Sequence, residues 1–528
     1  MNRRKFLELG IPISGAILLA PGIVTQAAMR EVNRQFIGGP KFDTYDILIN
    51  GGGLRGYFAA LHAAQQGKRV LLVEKRSSLG YEWSAKGRRW LGVEGIENLT
   101  EDLRSLLMPA GEASEVHATQ GTGPGSAVFD SELTFMAGSV KKGLLRNALI
   151  NHVDVLLMTD VCGIFTAQDR VHGVLLACKH GLFSVRCKHL VDVTEHALFS
   201  RSLLGQQPVP SQASFVLEIW KAASPSNKVL SVPGRLGLVN DQVIIHRGKH
   251  ADHQVFLEYT FPADGLDMET VEHRARQLAV TIGKELPALD PMFADAQIMQ
   301  FAWETSVTLT GEPLPAPRFR GHIVPEPSAP PLTCAALLRC QQDAAALVEG
   351  LPETTLAARP EQLYIIGATL PVAQLKFSAL DEPGFTVPLQ RCTIVADHLT
   401  SNRISCQVFV AGGGTAGSMA AIGAVEKGAQ TIVADTFYDL GGTKTMCGVM
   451  GYYHGYRDHP YFKQQDDAAN QLALEAHMNK RLGRVSYLLQ QVLQGDGRFL
   501  GGAMLCGAVP DGNRVTGGIL CRYGKLEL

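Results

Sequence analysis

The chain has 528 residues, with 49 Lys plus Arg against 50 Asp plus Glu and a formal net charge of −1. That balance excludes nucleic acid as the main partner, because a phosphate backbone requires a basic surface, and 46% hydrophobic against 19% charged residues excludes wholesale disorder. At roughly 150 residues per domain the length predicts three or four domains with sizeable cores, and no apolar run reaches the ~20 residues of an ordinary membrane span.

Residues 1–27 read as a twin-arginine export signal. Arg3-Arg4-Lys5-Phe6-Leu7 is followed by an apolar stretch from Ile11 to Val24, interrupted by Pro12 and Pro21, and by small residues at Thr25 and Ala27. The stretch has the length of a signal core rather than of a span. Twin-arginine export carries proteins already folded, so the predicted location is the periplasm and the predicted cargo loads a bulky cofactor before it crosses. An uncleaved signal acting as an anchor is the alternative.

Residues 42–205 form the first predicted unit. An apolar strand, Ile47 to Ile49, runs into Gly51-Gly52-Gly53-Leu54-Arg55-Gly56; an Ala-rich helical stretch follows, stopped by Gly67; a second strand, Val70 to Val73, ends in Glu74 and Lys75. This is G-x-G-x-x-G in its required strand–turn–helix–strand–acid setting. Gly51 permits the tight turn, Gly53 lets a pyrophosphate approach the backbone, and Gly56 lets the helix pack closely on the strand. The helix start offers free N–H groups and partial positive charge to phosphates. Glu74 is placed to accept hydrogen bonds from ribose hydroxyls, which argues against a 2′-phosphate and hence against NADP. The unit's last strand is predicted at His189-Leu190-Val191-Asp192-Val193-Thr194, after a hairpin that includes Arg170 to Val174.

Residues 206–300 alternate β-branched and apolar residues with Gly and Pro breaks, which predicts an antiparallel sheet with a covering helix from Met268 to Glu285. Residues 301–350 hold a Pro-rich loop, with seven prolines between Pro313 and Pro331, and a helix over Thr333 to Glu349. The prolines preclude regular helix or central strand there. Residues 351–404 read as a small β-rich connecting module. His246, His250, Asp252 and His253 resemble a metal cluster in composition alone; their position between strands reads as a solvated turn, and no metal is expected. The ten cysteines contain no C-x-x-C pair, which removes support for zinc ribbons and dithiol motifs.

Residues 405–528 repeat the first pattern. Gly412, Gly414, Gly417, Gly428 and Asp435 match Gly51, Gly53, Gly56, Gly67 and Glu74, each pair 361 positions apart. A lone Gly triplet is weak; two contextual matches in constant register, each with its acid, are strong. The hairpin recurs as Arg514 to Gly518, but no counterpart of the last strand precedes Leu528. The expectation is an incomplete second sheet with an unpaired edge, completed by another chain in a homo- or hetero-oligomer. Residues 464–495 read as helical.

At these residues the sequence resembles the FAD-dependent oxidoreductases of the glutathione-reductase-like flavin superfamily, and more narrowly the group with a GGG-x-A-G turn, an acid and then L-G-G-x-x-T. The second copy supplies Leu440-Gly441-Gly442-Thr443-Lys444-Thr445; the first has Leu79-Gly80-Tyr81-Glu82, keeping one Gly and losing the other. Val191 to Glu195 resembles the family's D-A-T-G-D segment, with Glu195 where the Gly stands. The resemblance implies an α/β fold of Rossmann-like FAD-binding units with an inserted antiparallel substrate domain. It also implies FAD held at Gly51, Gly53, Gly56, Glu74, Lys75, Gly80 and Asp192 and at Gly412, Gly414, Gly417, Asp435, Gly441, Gly442 and Thr443. It further implies that the stretch after the second L-G-G passes near the flavin ring. There His454 is the candidate general base, and Tyr453 and Arg457 are candidates to orient substrate; packing roles for all three remain the alternative. His322 could face the first site. The leading expectation is an exported FAD-dependent oxidoreductase acting on a small organic substrate by hydride transfer. Its rival is a non-catalytic subunit of a periplasmic complex, and an NAD site at the second copy is a third reading.

Overall fold

The computed structural model describes residues 44–108, 115–118, 129–206, 209–249, 253–310, 314, 316–327, 329–356, 359–379, 387–449 and 459–528. The export signal at 1–27 and the candidates Tyr453, His454 and Arg457 lie outside these residues.

Strand β1 (Tyr45–Asn50) leads through the Gly turn into helix α1 (Leu54–Gln65), and the chain returns as β2 (Val70–Glu74). All five residues of β2 are buried, as expected of a parallel strand covered on both faces. Helix α2 (Ala137–Ile150) precedes β3 (Asp154–Leu157). Three antiparallel strands follow: β4 (Asp160–Ala167), β5 (Arg170–Cys178) and β6 (Gly181–Asp192). β6 turns back into the parallel layer and lies against β1, with Leu48 opposite Leu190 and Asn50 opposite Asp192. The parallel order is therefore β3-β2-β1-β6. The register delivers Gly51, Glu74 and Asp192 to the same carboxyl ends of the strands, the place where open α/β sheets bind ligands.

The middle region is a six-stranded antiparallel sheet made of β7 (Val209–Trp220), β8 (Lys228–Ser231), β9 (Gln242–Arg247), β10 (Val255–Pro262), β11 (Gln297–Phe301) and β12 (Ser306–Thr310). Helix α3 (Met268–Leu289) covers it, running one turn beyond the expected end with Pro287 in that last turn. Alternating inward residues such as Phe215, Leu217 and Ile219 pack with Leu257, Tyr259, Ala275 and Ile282 into one core.

Two readings of this central stretch are corrected. Within the Pro-rich segment, His322 and Ile323 form a short strand in parallel register with Leu190 and Val191 of β6; neither residue is a proline, so both can join the ladder. The strands after helix α4 (Cys334–Glu349) do not form a module of their own. β13 (Gln362–Ile365), which pairs with β14 (Ala368–Pro371), adds to β4, and β16 (Gln390–Thr393), which pairs with β15 (Lys376–Ala379), adds to β6. The hairpin edges of the first unit are in this way paired and covered.

Strand β17 (Val408–Ala411), helix α5 (Thr415–Glu426) and strand β18 (Thr431–Ala434) form a second parallel βαβ arrangement. Helices α6 (Pro460–Glu475) and α7 (Lys480–Val492) lead to β19 (Gly497–Leu500), which pairs in parallel with β18. Val408 faces Thr431 as Ile47 faces Val70, again 361 positions apart. The antiparallel strands β20 (Met504–Asp511), β21 (Arg514–Arg522) and β22 (Lys525–Glu527) follow. Among the described residues β17 pairs on one side, with β18, and no helix is long and apolar enough to cross a membrane.

Arg276 of α3 is 1% exposed. Its guanidinium donates to Glu272 (2.7 Å), to Asp439 (2.7 Å) and to the Trp303 carbonyl (2.9 Å), which ties the middle sheet to the loop before Gly441. Removing one member of a buried charge group leaves uncompensated partners and costs about 3–5 kcal/mol. Arg276→Ala is therefore expected to lower unfolding stability by that amount in urea denaturation.

Candidate functional site

The two Gly turns share one skeleton of hydrogen bonds. Gly51 N–H donates to the Val73 carbonyl and Gly412 N–H to the Ala434 carbonyl, each at 2.8 Å; Gly80 N–H reaches the Gly52 carbonyl and Gly441 N–H the Gly413 carbonyl, each at 2.8 Å. Glu74 accepts from Gly52 N–H (2.6 Å) and Arg76 N–H (2.9 Å). Asp435 accepts from Gly413 N–H (2.7 Å) and Phe437 N–H (3.0 Å). The acids thus lock the turns by the same two bonds. A Cβ on Gly56 would stand 1.9 Å from the Gly51 carbonyl oxygen, and one on Gly417 1.8 Å from that of Gly412. Only glycine lets helix and turn approach so closely.

The surroundings of the turns differ. At the first, Gly51, Gly52, Gly53 and Leu54 are all buried. Leu54 N–H, at the start of α1, donates to both carboxyl oxygens of Glu82, at 3.0 and 3.2 Å. A Cβ on Gly53 would meet Tyr81 Cε1 at 2.4 Å and Glu82 Oε1 at 2.7 Å. At the second, Thr415 is exposed and Gly412 and Gly414 are half-buried, and among the described residues a Cβ on Gly414 would meet nothing within 4 Å. The register explains the contrast. Tyr81 and Glu82 stand where the second copy has Gly442 and Thr443. Gly442 lies backbone to backbone with Gly414, and Thr443 is exposed at the rim. Thr415 Oγ1 donates to the Gly441 carbonyl at 2.8 Å, which pins this L-G-G segment beside the helix start.

The remaining first-unit candidates are occupied by partners from the chain itself. Glu74 is 1% exposed and Asp192 0%. Asp192 accepts from the backbone and hydroxyl of both Thr194 and Ser200. Ser200 Oγ also meets His322 Nε2 at 3.0 Å. His322 is buried, and that burial, opposed by the Asp192 charge, brings its pKa down to about 4. It is held inside the fold, against Ser200. Lys75 sits over the Tyr523 ring at 4.7 Å. Arg76 pairs with Glu304 (2.6 Å), Glu195 (3.1 Å) and Glu74 (3.2 Å) and covers the Tyr81 ring at 4.2 Å; Lys86 pairs with Glu195 at 2.9 Å. Burial opposes ionisation of Glu304 and Glu195, but these cations hold both carboxyls below their ordinary pKa. A cleft remains at the turn, lined by Gly53, Arg55, Tyr81, Glu82, Asp192 and Thr194 and closed by Pro325, Pro327, Pro330 and Pro331.

Of the composition-based metal cluster, His250 and Asp252 lie outside the described residues. His246 is buried against Glu132 (3.0 Å) and stacked on Trp90 at 3.7 Å. Burial pulls its pKa down, and Glu132 and Glu258 more than restore it, so it is raised. Sequence reasoning missed Glu82, Arg76 and Glu304; the L-G-Y-E departure was the one local signal for Glu82.

Burial raises Glu82 to about 7 from 4.5; the Leu54 N–H and Arg76 pull it down, and Glu195 adds to the rise. Between pH 4.5 and 7 the folded chain therefore holds a proton that the unfolded chain releases, and stability falls as pH rises through that window. Glu82→Gln should change little at pH 4 and gain stability on the order of 3 kcal/mol at pH 8, read from denaturation midpoints at the two pH values.

With this geometry in view, the chain's relatives can be compared. The model of the FAD dependent oxidoreductase family matches residues 46–202 and 407–507. An NADH:fumarate oxidoreductase of Klebsiella pneumoniae (strain 342) is 28% identical over 187 residues, 29% of this chain and 20% of that protein. A dihydrolipoyl dehydrogenase of Trypanosoma brucei brucei is 51% identical over 41 residues, 8% of this chain and 9% of that one. The chain thus spans a fifth or less of the length of these curated relatives. A geranylgeranyl bacteriochlorophyll reductase-like structure from Thermoplasma acidophilum aligns at TM-score 0.42 and 15% identity, covering 58% of this chain and 78% of that one. Both Gly turns, their anchoring acids and the second L-G-G fall within the matched stretches, so it is these two parts of the chain that are similar to the FAD-dependent oxidoreductases.

Proposed function

We propose that the chain is an exported enzyme with an internally duplicated FAD-type unit, oxidising or reducing a small organic substrate by hydride transfer, and that its FAD lies at the second Gly turn. The observation that carries the reading is the open start of α5 beside Gly414, in a turn whose hydrogen bonds repeat those of the first at an offset of 361. The first-turn N–H groups of α5 bind the diphosphate, where helix polarity favours negative charge. Asp435 is half-buried, and a carboxylate has about four acceptor sites. Beyond its two turn bonds it can therefore accept from ribose hydroxyls. Gly442 keeps the backbone beside Gly414 free of side chain. FAD supplies the hydride chemistry; His454 holds or removes the substrate proton, and Tyr453 and Arg457 orient the substrate. The match to a family of oxidoreductases favours this enzyme over a non-catalytic subunit. The Arg3-Arg4 signal supports export to the periplasm, and a second chain that pairs along β17 accords with that strand's one-sided pairing.

Purified full-length chain should show visible flavin bands that bleach with a reductant. Gly414 has φ −65 and ψ −167, a conformation open to any residue, so Gly414→Val is expected to fold normally while its side chain occupies the diphosphate's place. Bound FAD should fall at least tenfold, read from absorbance of the released flavin; an unchanged yield would sink the assignment. Replacing both Arg3 and Arg4 with Lys should move the protein from the periplasmic to the cytoplasmic fraction.

A further inference from the structure

The same register that opens the second turn closes the first. We infer that the first Gly turn binds no dinucleotide: the Glu82 carboxylate and the Tyr81 ring occupy the diphosphate's place as a ligand built into the chain. The inference rests on the proposed function in one respect, that the chain's FAD belongs to the second turn.

A dinucleotide at a Rossmann turn takes three things from the protein: N–H groups at the helix start, clearance beside the middle Gly, and an acid open to the ribose. Each is committed here. The Leu54 N–H is taken by Glu82 at 3.0 and 3.2 Å. Clearance on the Cβ side of Gly53 is taken by Tyr81, whose Cε1 stands 2.4 Å from an ideal Cβ, and the cleft at the turn opens past Tyr81 and Glu82 rather than onto the Gly53 backbone alone. Glu74 is 1% exposed, and its two oxygens serve Gly52, Arg76 N–H and the Arg76 guanidinium. Asp192, the residue expected beside the flavin chain, is saturated by Thr194 and Ser200. A phosphate entering this turn would displace a carboxylate from its hydrogen bonds and move a ring pinned beneath Arg76.

The Glu82 carboxyl also meets the hydrogen-bonding need that a phosphate would meet. Free N–H groups at a buried helix start require an acceptor. Glu82 supplies it from a position 28 residues along the chain, although burial outweighs the helix polarity and keeps its charge disfavoured. At the second turn the corresponding residue is Thr443, exposed and uncharged, and among the described residues no carboxylate takes its place at the start of α5. The loss of the second Gly of L-G-G and the gain of Glu82 are then one change: Tyr81 closes the clearance and Glu82 satisfies the N–H that the lost phosphate had satisfied.

The test is the number of FAD molecules per folded chain. Full-length wild type, Gly414→Val and Glu82→Gln are each equilibrated with excess FAD and freed of unbound cofactor. Released flavin is then counted against protein, with circular dichroism confirming the fold. The expected ratios are one for wild type, below one tenth for Gly414→Val and one for Glu82→Gln. Two FAD per wild-type chain, one of them surviving Gly414→Val, overturns the inference and leaves the proposed function standing. One FAD that survives Gly414→Val overturns both. No FAD on the wild type overturns the second-turn assignment and with it the contrast between the turns on which the inference rests. Should Gly414→Val fail to fold, Asp435→Asn at the second turn takes its place: two FAD per wild-type chain, or one that survives Asp435→Asn undiminished, refutes the inference, and one that falls in Asp435→Asn supports it.

Discussion

A helix that starts inside a protein carries N–H groups that no residue of the helix can satisfy, and much of this molecule is organised by what answers them. At α1 the answer is a carboxylate from the same chain. That choice buries the turn and brings Tyr81 over Gly53 and Arg76 over Tyr81. It also sets a cation amid Glu74, Glu195 and Glu304. At α5 the helix start is left facing outward, with its Gly turn, its acid and its L-G-G segment in place.

The buried charges of the first unit form a connected group rather than isolated pairs. Arg76 reaches Glu304; the neighbouring Thr305 donates to Glu272; and Glu272 holds Arg276, which reaches Asp439. Ions so far from water are tolerated only when each has partners. The group therefore fixes the relative placement of β2, the middle sheet, α3 and the loop leading to Gly441. It also accounts for Glu195 at a position where the resemblance calls for glycine: the side chain serves Arg76 and Lys86.

Much of this architecture was legible in the sequence because it depends on local chemistry. The Gly turns, the strands that feed them and the acids that end those strands follow from glycine spacing and apolar runs, and the offset of 361 foretold which hydrogen bonds recur. The occupant of the first turn was not legible in the same way. L-G-Y-E advertised a lost glycine, but nothing within a few residues says that Glu82 reaches back to Leu54. The pairs Arg76–Glu304 and Arg276–Asp439 join residues 228 and 163 positions apart, beyond any periodicity. The strands over 362–393 were recognised as strands, but their partners β4 and β6 lie 196 to 208 residues earlier, and pairing over that distance leaves no mark in composition.

The C-terminal part of the chain bears on the first unit and on the middle sheet at many points. Gly524 N–H donates to Asp160 at 3.0 Å, Arg522 and Arg498 both reach Glu269, and the backbone at 477–479 bonds to Ile298. Ala476, Met478, Leu482 and Val485 complete the core of the middle sheet, and Cys506, Ile519 and Cys521 pack with Cys162 and Leu175. A single protease nick between β16 and β17 would therefore release no fragment: the halves would stay locked together until denatured, and neither gene half expressed alone would have the other's apolar surface to close on. The first unit therefore has a structural task whatever its Gly turn binds: it is part of the wall against which the C-terminal residues pack.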